Sequence, residues 1–191
     1  MPRSQKQKAQ SREAIIRSAA KLFRERGIDG VTVAEIMEGA GLTHGGFPRH
    51  FSSKDELVKE ALADVFEANA RAPFLPAKDL QTLAKAYLSS SHRNAPGSGC
   101  VFAALGTEMA RSSAPTRNML TQAIADQIED FTHKAGAGDP ERKRIEAIGT
   151  WATMIGAMML ARIVDSPDLA EDILSSARAH IEDRPGLRQN A

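Results

Sequence analysis

The segment from residue 32 to residue 51, TVAEIMEGAGLTHGGFPRHF, constrains the fold more than any other part of the chain, because it contains two helix starts. Thr32 and Glu35 have the T-x-x-E spacing of a capping box, in which the hydroxyl accepts the Glu35 N–H and the carboxylate reaches back. Apolar residues at helical spacing follow, and Gly41 supplies the left-handed residue that ends a helix. The pattern predicts a short, one-sided helix.

A second short helix is predicted over residues 44–51. Thr43 is placed as its N-cap, and Leu42 is placed to pack against Phe47 as a hydrophobic staple. Its outward residues are small or hydrogen-bonding, which lets the backbone approach a DNA groove while the N-terminal end meets phosphate oxygens. These outward residues are Thr43, His44, Gly45, Gly46 and Arg49. Two helices joined by a glycine turn have the layout of a helix-turn-helix.

Positive charge is concentrated at the N-terminal end of the chain. Residues 1–51 contain nine Lys or Arg and five Asp or Glu, a balance of +4, while the remaining residues contain sixteen and nineteen, a balance of −3. Nucleic-acid binding depends on where positive charge lies, so phosphate attraction is expected in the first part. A plain solvated surface is the alternative for the basic face alone.

Composition excludes several classes of protein. The 191 residues are 42% hydrophobic and 26% charged, as in an ordinary soluble protein, and no run reaches the roughly 18 apolar residues of a membrane span. The charged N-terminus has no apolar signal region and one cysteine allows no internal disulfide, so a cytoplasmic location and no membrane partner are expected. The five histidines are scattered and no catalytic motif is present, so no metal, cofactor or enzymatic activity is expected.

Helix signals recur along the chain and strand signals do not. The class is therefore all-α, with about nine helices. An N-terminal three-helix DNA-binding domain is assigned to residues 1–52 and a helical ligand-binding and dimerisation domain to residues 53–191. Besides the pair above, helices are predicted over residues 11–26, from Ser53 to just before Pro73, and over 78–92, 101–111, 116–135, 140–164 and 167–183.

The N-terminal part resembles the DNA-binding domain of the TetR family of bacterial transcriptional regulators. The resemblance covers about residues 11–62 and rests on LFRERG at 22–27, GIDGVTVAEI at 27–36 and GLTHGGFPRHFSSKDEL at 41–57. Further along, GCVFAAL at 99–105 is similar to one AcrR-like branch. The resemblance implies a homodimer that represses transcription from a palindromic double-stranded DNA operator and releases it when a small molecule occupies the C-terminal domain.

Roles in DNA binding follow from the matching positions. Thr43, His44 and Gly45 match residues that face base edges or phosphates, and His50 and Lys54 match backbone contacts. Arg49 is the expected sequence-specific reader through its guanidinium, with a solvated charge as the alternative. Arg3, Lys6 and Lys8 form either a disordered arm that reaches DNA or an unstructured terminus. The candidate DNA-binding set is Thr32, Thr43, His44, Gly45, Gly46, Pro48, Arg49, His50 and Lys54.

Pro48 departs from the family pattern, in which most members carry a phosphate-contacting tyrosine in a Y-x-H-F run. Proline removes the phenol and also the N–H directed at the His44 carbonyl, and an interior helix proline costs up to about 3 kcal/mol. Position 48 lies just past the first turn of a helix of about two turns, so local tightening or a kink is expected to reduce that cost. Weaker or differently angled DNA binding than in tyrosine-bearing relatives is predicted. A helical ligand-binding or interaction module without DNA binding therefore stays open.

The C-terminal part offers candidates for a pocket and for a dimer interface. Large, soft or aromatic residues suit an apolar or aromatic effector, with ordinary core packing as the alternative for each. They are Phe66, Phe74, Tyr87, Cys100, Phe102, Met109, Met119, Trp151, Met154 and Met158. A thiol-based electrophile sensor acting through Cys100 is a further alternative, because a helix N-terminus stabilises thiolate.

The dimer interface is predicted on the last two helices. Residues 147–161 contain no charge, so this helix must be buried on more than one side. In the family the last two helices pair with those of a second copy as a four-helix bundle. The predicted interface residues are Ile148, Ala152, Ile155, Met159, Leu169, Ile173, Ala177 and Ile181.

Overall fold

The computed structural model describes residues 2–71 and 76–183, and this part of the chain is helical with no strand. The all-α prediction is confirmed. The elements are α1 (Pro2–Arg26), α2 (Val33–Gly39), a 3-10 helix (His44–Arg49), α3 (Lys54–Arg71), α4 (Leu80–Tyr87), α5 (Ser90–Arg93), a second 3-10 helix (Pro96–Ser98), α6 (Val101–Met109), α7 (Ala114–Lys134), α8 (Pro140–Ile163) and α9 (Pro167–Glu182).

We call α1, α2 and the His44–Arg49 helix the head. The capping box at the start of α2 is formed: the Glu35 N–H donates to Thr32 Oγ1 at 3.3 Å, and the Thr32 N–H donates to Glu35 Oε2 at 2.8 Å. Gly41 ends the turn after α2 with a φ of +71°, as predicted. Apolar side chains of α1, α2 and the first half of α3 form one buried cluster around Phe23, Ile36 and Leu57.

The first helix begins nine residues earlier than predicted. Residues 2–10 are helical rather than a disordered arm, which places Lys6 and Lys8 on an exposed extension of α1. The side chain of Arg3 lies outside the described residues. Proline is favourable at a first helical position, and Gln, Lys and Ala propagate a helix well, which accounts for the extension.

Helices α4 to α9 form the body. The predicted helix over 78–92 is divided into α4 and α5 because the Ser89 hydroxyl caps a new helix by accepting the His92 N–H. Asp139 and Ser166 cap α8 and α9 as predicted. Met154 and Leu174 lie in a second buried cluster. Within the described residues, no helix is both long enough and apolar enough to cross a membrane.

Head and body are joined by helix packing as well as by α3. Val101, Leu105 and Met109 of α6 are buried in the cluster of the head. A body helix therefore completes the core of the head, and the division at residues 52 and 53 stays a prediction. This packing also leaves a cavity between α1 and the body.

Candidate nucleic-acid interface and adjoining cavity

The second helix of the predicted pair is a six-residue 3-10 helix, not an α-helix that reaches residue 51. The Gly46 N–H donates to the Thr43 carbonyl at 3.0 Å, and the His50 N–H donates to the Phe47 carbonyl at 2.9 Å. Pro48 has no N–H to donate to a carbonyl four residues back, whereas three-residue bonds on either side of it are possible. The tighter winding accommodates the proline.

Aromatic packing holds this helix against the head. Thr43 has the extended backbone of an N-cap, but its side chain makes no capping hydrogen bond, so the predicted cap is wrong in that respect. Phe47 is buried and its ring stacks on Phe51, with 5.6 Å between centroids. Leu42 packs against the same cluster, as expected for a staple residue.

The outer surface of the His44–Arg49 helix is small and polar. Thr43, His44, Gly45, Pro48 and Arg49 are exposed, while Gly46 is half-buried. A Cβ added at Gly45 would meet none of the described residues within 4 Å, so their packing does not require glycine there. The missing side chain instead lets another molecule approach the backbone closely.

Two predicted residues already have intramolecular partners. Thr32 is exposed but its hydroxyl is engaged with Glu35 in the capping box. The Lys54 ammonium donates to the carbonyls of Ile28 and Val31 at 2.6 and 2.7 Å, which differs from the predicted phosphate contact. Lysine reaches these carbonyls because the loop between α1 and α2 passes beside the start of α3.

His50 lies among cations at the end of this surface. Its pKa is lowered by burial and by the positive charges of Lys8, Arg12 and Arg49. Arg12 is committed to an ion pair with Glu60 and lies 4.5 Å from the Phe51 ring centroid. Lys8 reaches this group only because α1 is helical back to Pro2, which charge counting along the sequence does not show.

A cavity of about 480 Å³ lies between α1 of the head and the body, within the 300–1,000 Å³ range of small-molecule sites. Aromatic rings line the cavity one beside the next. The ring centroids of Phe66 and Phe102 are 5.5 Å apart, and those of Phe102 and Trp151, which meet edge-on, are 5.1 Å apart. Tyr87 and Cys100 also line it, so these five predicted pocket residues lie together.

The other predicted pocket residues do not line this cavity. Met109 is buried in the cluster of the head and Met119 packs against it, whereas Met154 and Met158 are fully buried in the body cluster. Their helical spacing reflects core packing. The prediction that these four methionines line the pocket is therefore corrected to an assignment in the buried core. Phe74 lies outside the described residues. Sequence reasoning missed the polar lining, which includes Arg17, Arg24, Asp64, Gln127, Asp130 and Lys134.

Cys100 and His92 are close together but are not arranged as nucleophile and base. The backbone N–H of Cys100 donates to His92 Nε2 at 3.1 Å, and His92 Nδ1 donates to the Tyr87 carbonyl at 2.7 Å. Both ring nitrogens therefore hold backbone groups, and burial lowers the pKa of His92, which keeps the imidazole neutral. The histidine joins the segment before α6 to the end of α4.

The predicted dimer residues are divided between surface and core. On α8 and α9, Ile148 is 40% exposed and Leu169 is 47% exposed, while Ala152 is also on the surface. Ile155, Met159, Ile173 and Ala177 are half-buried against the body cluster. Ile181 is fully buried, so its assignment to an interface is corrected. Ile145, Leu160 and Ile163 are exposed at 65%, 55% and 75% and were not predicted from the sequence.

Comparison with known proteins decides the family. A family model described as "Tetracyclin repressor-like, C-terminal domain" matches residues 76–177, more than half of the chain, and one described as "Bacterial regulatory proteins, tetR family" matches residues 15–61. The chain belongs to the TetR family. TetR-family proteins are transcriptional regulators and not enzymes, so the predicted absence of enzymatic activity is confirmed by the family.

Individual relatives agree with this membership. The repressor KstR2 of Mycolicibacterium smegmatis is 35% identical over 66 residues, which are 35% of this chain and 32% of KstR2. The regulator TtgR of Pseudomonas putida is 40% identical over 70 residues, 36% of this chain and 33% of TtgR. The matches to these curated TetR relatives span about a third of their length.

Solved structures extend the likeness to the whole fold. A TetR regulator from Chloroflexus aurantiacus superposes with a TM-score of 0.69 at 25% identity, covering 94% of this chain and 98% of that one. Escherichia coli NemR in its reduced form superposes with a TM-score of 0.69 at 19% identity, covering 90% and 95%. The head and the helical body together are therefore the TetR fold.

Proposed function

We propose that this TetR-family regulator binds a palindromic DNA operator as a homodimer, represses transcription, and is released by a small apolar or aromatic effector. The cavity carries the proposal, because α1 of the head forms one of its walls and aromatic residues of α3, α6 and α8 form others. A ligand in this position contacts the head and the body at once. Its occupancy is therefore linked to the position of the head.

DNA binding is tested by selecting bound fragments from the source genome with the full chain and footprinting them. Protection of a palindrome is expected. Arg49→Ala should weaken binding about tenfold or more, because a bidentate base contact contributes about 1–3 kcal/mol. Lys85→Ala removes the same charge from an exposed position on α4 and should leave affinity unchanged. Equal effects of the two variants would show that Arg49 acts only through charge.

The homodimer is tested by sedimentation at micromolar concentration. Leu169→Glu on the exposed apolar face of α8 and α9 should give a monomer, because a charge would be buried against a second copy. Ile124→Glu, at a 38% exposed isoleucine on α7, is the matched control and should stay dimeric. A monomeric wild type would contradict the proposal.

A helical ligand-binding module without DNA binding is the second candidate. The observation that favours it is the 3-10 winding around Pro48, which replaces the regular helix that would present base-reading side chains. The fragment selection separates the two, since the module would retain no fragment at any salt concentration. The thiol-sensor alternative predicts fast maleimide labelling of Cys100 at neutral pH together with loss of DNA binding.

A further inference from the structure

We propose that the cavity binds an aromatic compound carrying one anionic group, with the anion held by Arg24 of α1 and the aromatic part held by the rings of the body. This inference rests on the proposed function, because it names the chemical class of its effector. It also gives the effector a direct ionic contact with a helix of the DNA-binding head.

Arg24 is a cavity-lining cation that no described residue contacts directly through a hydrogen bond or an ion pair. Among the described residues it forms no ion pair and no hydrogen bond, and its Nε is buried with neither. Burial lowers the pKa of Arg24, and the nearby Cys100, Glu25 and Asp64 offset part of that effect. A partly buried guanidinium without a direct hydrogen-bond acceptor is costly, and an incoming anion with oxygen acceptors removes that cost.

The other cations of the cavity wall already have partners. Lys134 is paired with Asp130, and Arg17 lies 3.6 Å from Glu13 on its exposed side. Asp64 stabilises the charge of Arg24 from beyond ion-pair distance, and none of its oxygens is buried without a partner. Arg24 is therefore the cation of the cavity wall that is left for a ligand anion.

A second buried donor lies on another wall. The hydroxyl of Tyr87 is buried beside the Cys100 thiol, which is a weak acceptor, and meets no well-aligned acceptor among the described residues. Burial and the neighbouring Cys100 raise the pKa of Tyr87 well above its ordinary value, so the hydroxyl keeps its proton and can donate it to a ligand oxygen. The Arg24 guanidinium and the Tyr87 hydroxyl in one cavity suit an acceptor-rich group such as a carboxylate.

The remaining lining suits a flat aromatic body. The rings of Phe66, Phe102, Trp151 and Phe131 form a continuous series with centroids 5.1–5.9 Å apart. Such a wall offers edge and face contacts to a fused or biaryl ring system. The volume of about 480 Å³ admits a ligand of this kind with its anionic group.

Binding at Arg24 acts on the head without an intermediate element. Arg24 is next to Phe23, which is buried in the core of the head, and precedes Gly27, where α1 ends with a φ of +81°. A Cβ at Gly97 in the cavity-side turn before α6 would be only 2.3 Å from Glu25 Oε1, so α1 and the body touch closely here. An anion bound at Arg24 therefore contacts α1 where it packs closely against the body, and we expect it to change that packing.

Trp151, the only tryptophan of the chain, lines the cavity and reports binding by its fluorescence. The probes are 2-naphthoate and its neutral, nearly isosteric amide, 2-naphthamide, titrated into the full-length protein. The wild type should bind the carboxylate at least tenfold more tightly than the amide. Arg24→Gln should weaken naphthoate binding at least tenfold and leave naphthamide within twofold, since it removes a charge-assisted contact only.

Arg17→Gln is the matched control. Arg17 is a cation on the same cavity wall of α1, but its side chain is 65% exposed and already paired with Glu13. The substitution should change naphthoate affinity less than twofold. Tyr87→Phe keeps the ring, should cost about threefold, and gives an independent measurement if Arg24→Gln fails to fold. Equal affinities for the two probes, or equal effects of Arg24→Gln and Arg17→Gln, would overturn the inference and leave the aromatic cavity intact.

Anisotropy with a selected operator fragment separates this inference from the proposed function. Naphthoate should dissociate the wild-type complex and leave the Arg24→Gln complex bound. Selective binding at Trp151 without any effect on DNA would support the anionic ligand and contradict the effector role. No change in Trp151 fluorescence with either probe would contradict both the anionic ligand and its role as an effector.

Discussion

The two short helices of the helix-turn-helix are stabilised in different ways. Helix α2 has a complete capping box at its start and a left-handed glycine at its end, in addition to the buried side chains of Ile36 and Met37. The His44–Arg49 helix has no side-chain cap, contains a proline, and is held by the buried ring of Phe47. Local hydrogen bonds thus specify α2, whereas tertiary packing specifies its neighbour.

This difference has a consequence for DNA recognition. A helix that depends on one packed ring keeps its position but not a strongly defined winding. Gly45 and Gly46 add backbone freedom on the outward surface, where no contact within the protein requires glycine at 45. We expect the His44–Arg49 helix to adjust its winding on DNA while α2 remains fixed.

Removal of the packed ring should have the largest effect. Phe47→Ala should lower the free energy of unfolding by about 3 kcal/mol, because it leaves a cavity in the core of the head. Chemical denaturation measures the loss, and hydrogen exchange should show protection lost in residues 44–51 before α2. A loss below about 1 kcal/mol would mean that another contact holds this helix.

Restoring a tyrosine at position 48 should change DNA binding more than stability. Pro48→Tyr returns a phenol and a backbone N–H, so operator affinity should rise about tenfold through a charge-assisted phosphate contact. Anisotropy titration measures it. Pro48→Ala restores only the N–H and separates the backbone effect from the phenol. An unchanged affinity in Pro48→Tyr would refute the predicted role of the proline.

The two N-cap threonines allow a matched test of the comparison. Thr32→Ala should cost about 1 kcal/mol, because its hydroxyl accepts the Glu35 N–H. Thr43→Ala should cost only a few tenths of a kcal/mol, since Thr43 makes no capping bond. Thermal unfolding of both variants is the measurement. Similar costs would show that Thr43 caps its helix in solution.

The same distinction explains what the sequence predicts. The caps formed by Thr32, Asp139 and Ser166 depend on residues three positions apart, so their spacing reveals them. Contacts between distant residues leave no such pattern. The bonds from Lys54 to the loop before α2 follow only from the packed structure. In the same way, the family resemblance locates the DNA-facing segment, but only the fold brings Arg24 to a cavity wall beside Cys100.

The smallest expected effect concerns acid. Hydrogen bonds from the Thr32 hydroxyl and N–H, with the Arg26 guanidinium, lower the pKa of Glu35 to about 2 from an ordinary value of 4.5. Because this carboxylate is more acidic in the folded protein, its contribution to stability is complete above about pH 4.5 and is lost as the pH falls through about 2.

Thermal unfolding of the wild type and of Glu35→Gln between pH 6 and pH 2 tests this. The wild type should be the more stable protein at pH 6, and the two midpoints should converge as the solution is acidified, since protonation removes the same negative charge that the substitution removes. Thr43→Ala should follow the wild type throughout, because the His44–Arg49 helix contains no carboxylate and its start uses none. A constant gap between wild type and Glu35→Gln would mean that the box acts through the shape of the side chain. The contrast between an acid-sensitive α2 and an acid-insensitive neighbour would then disappear.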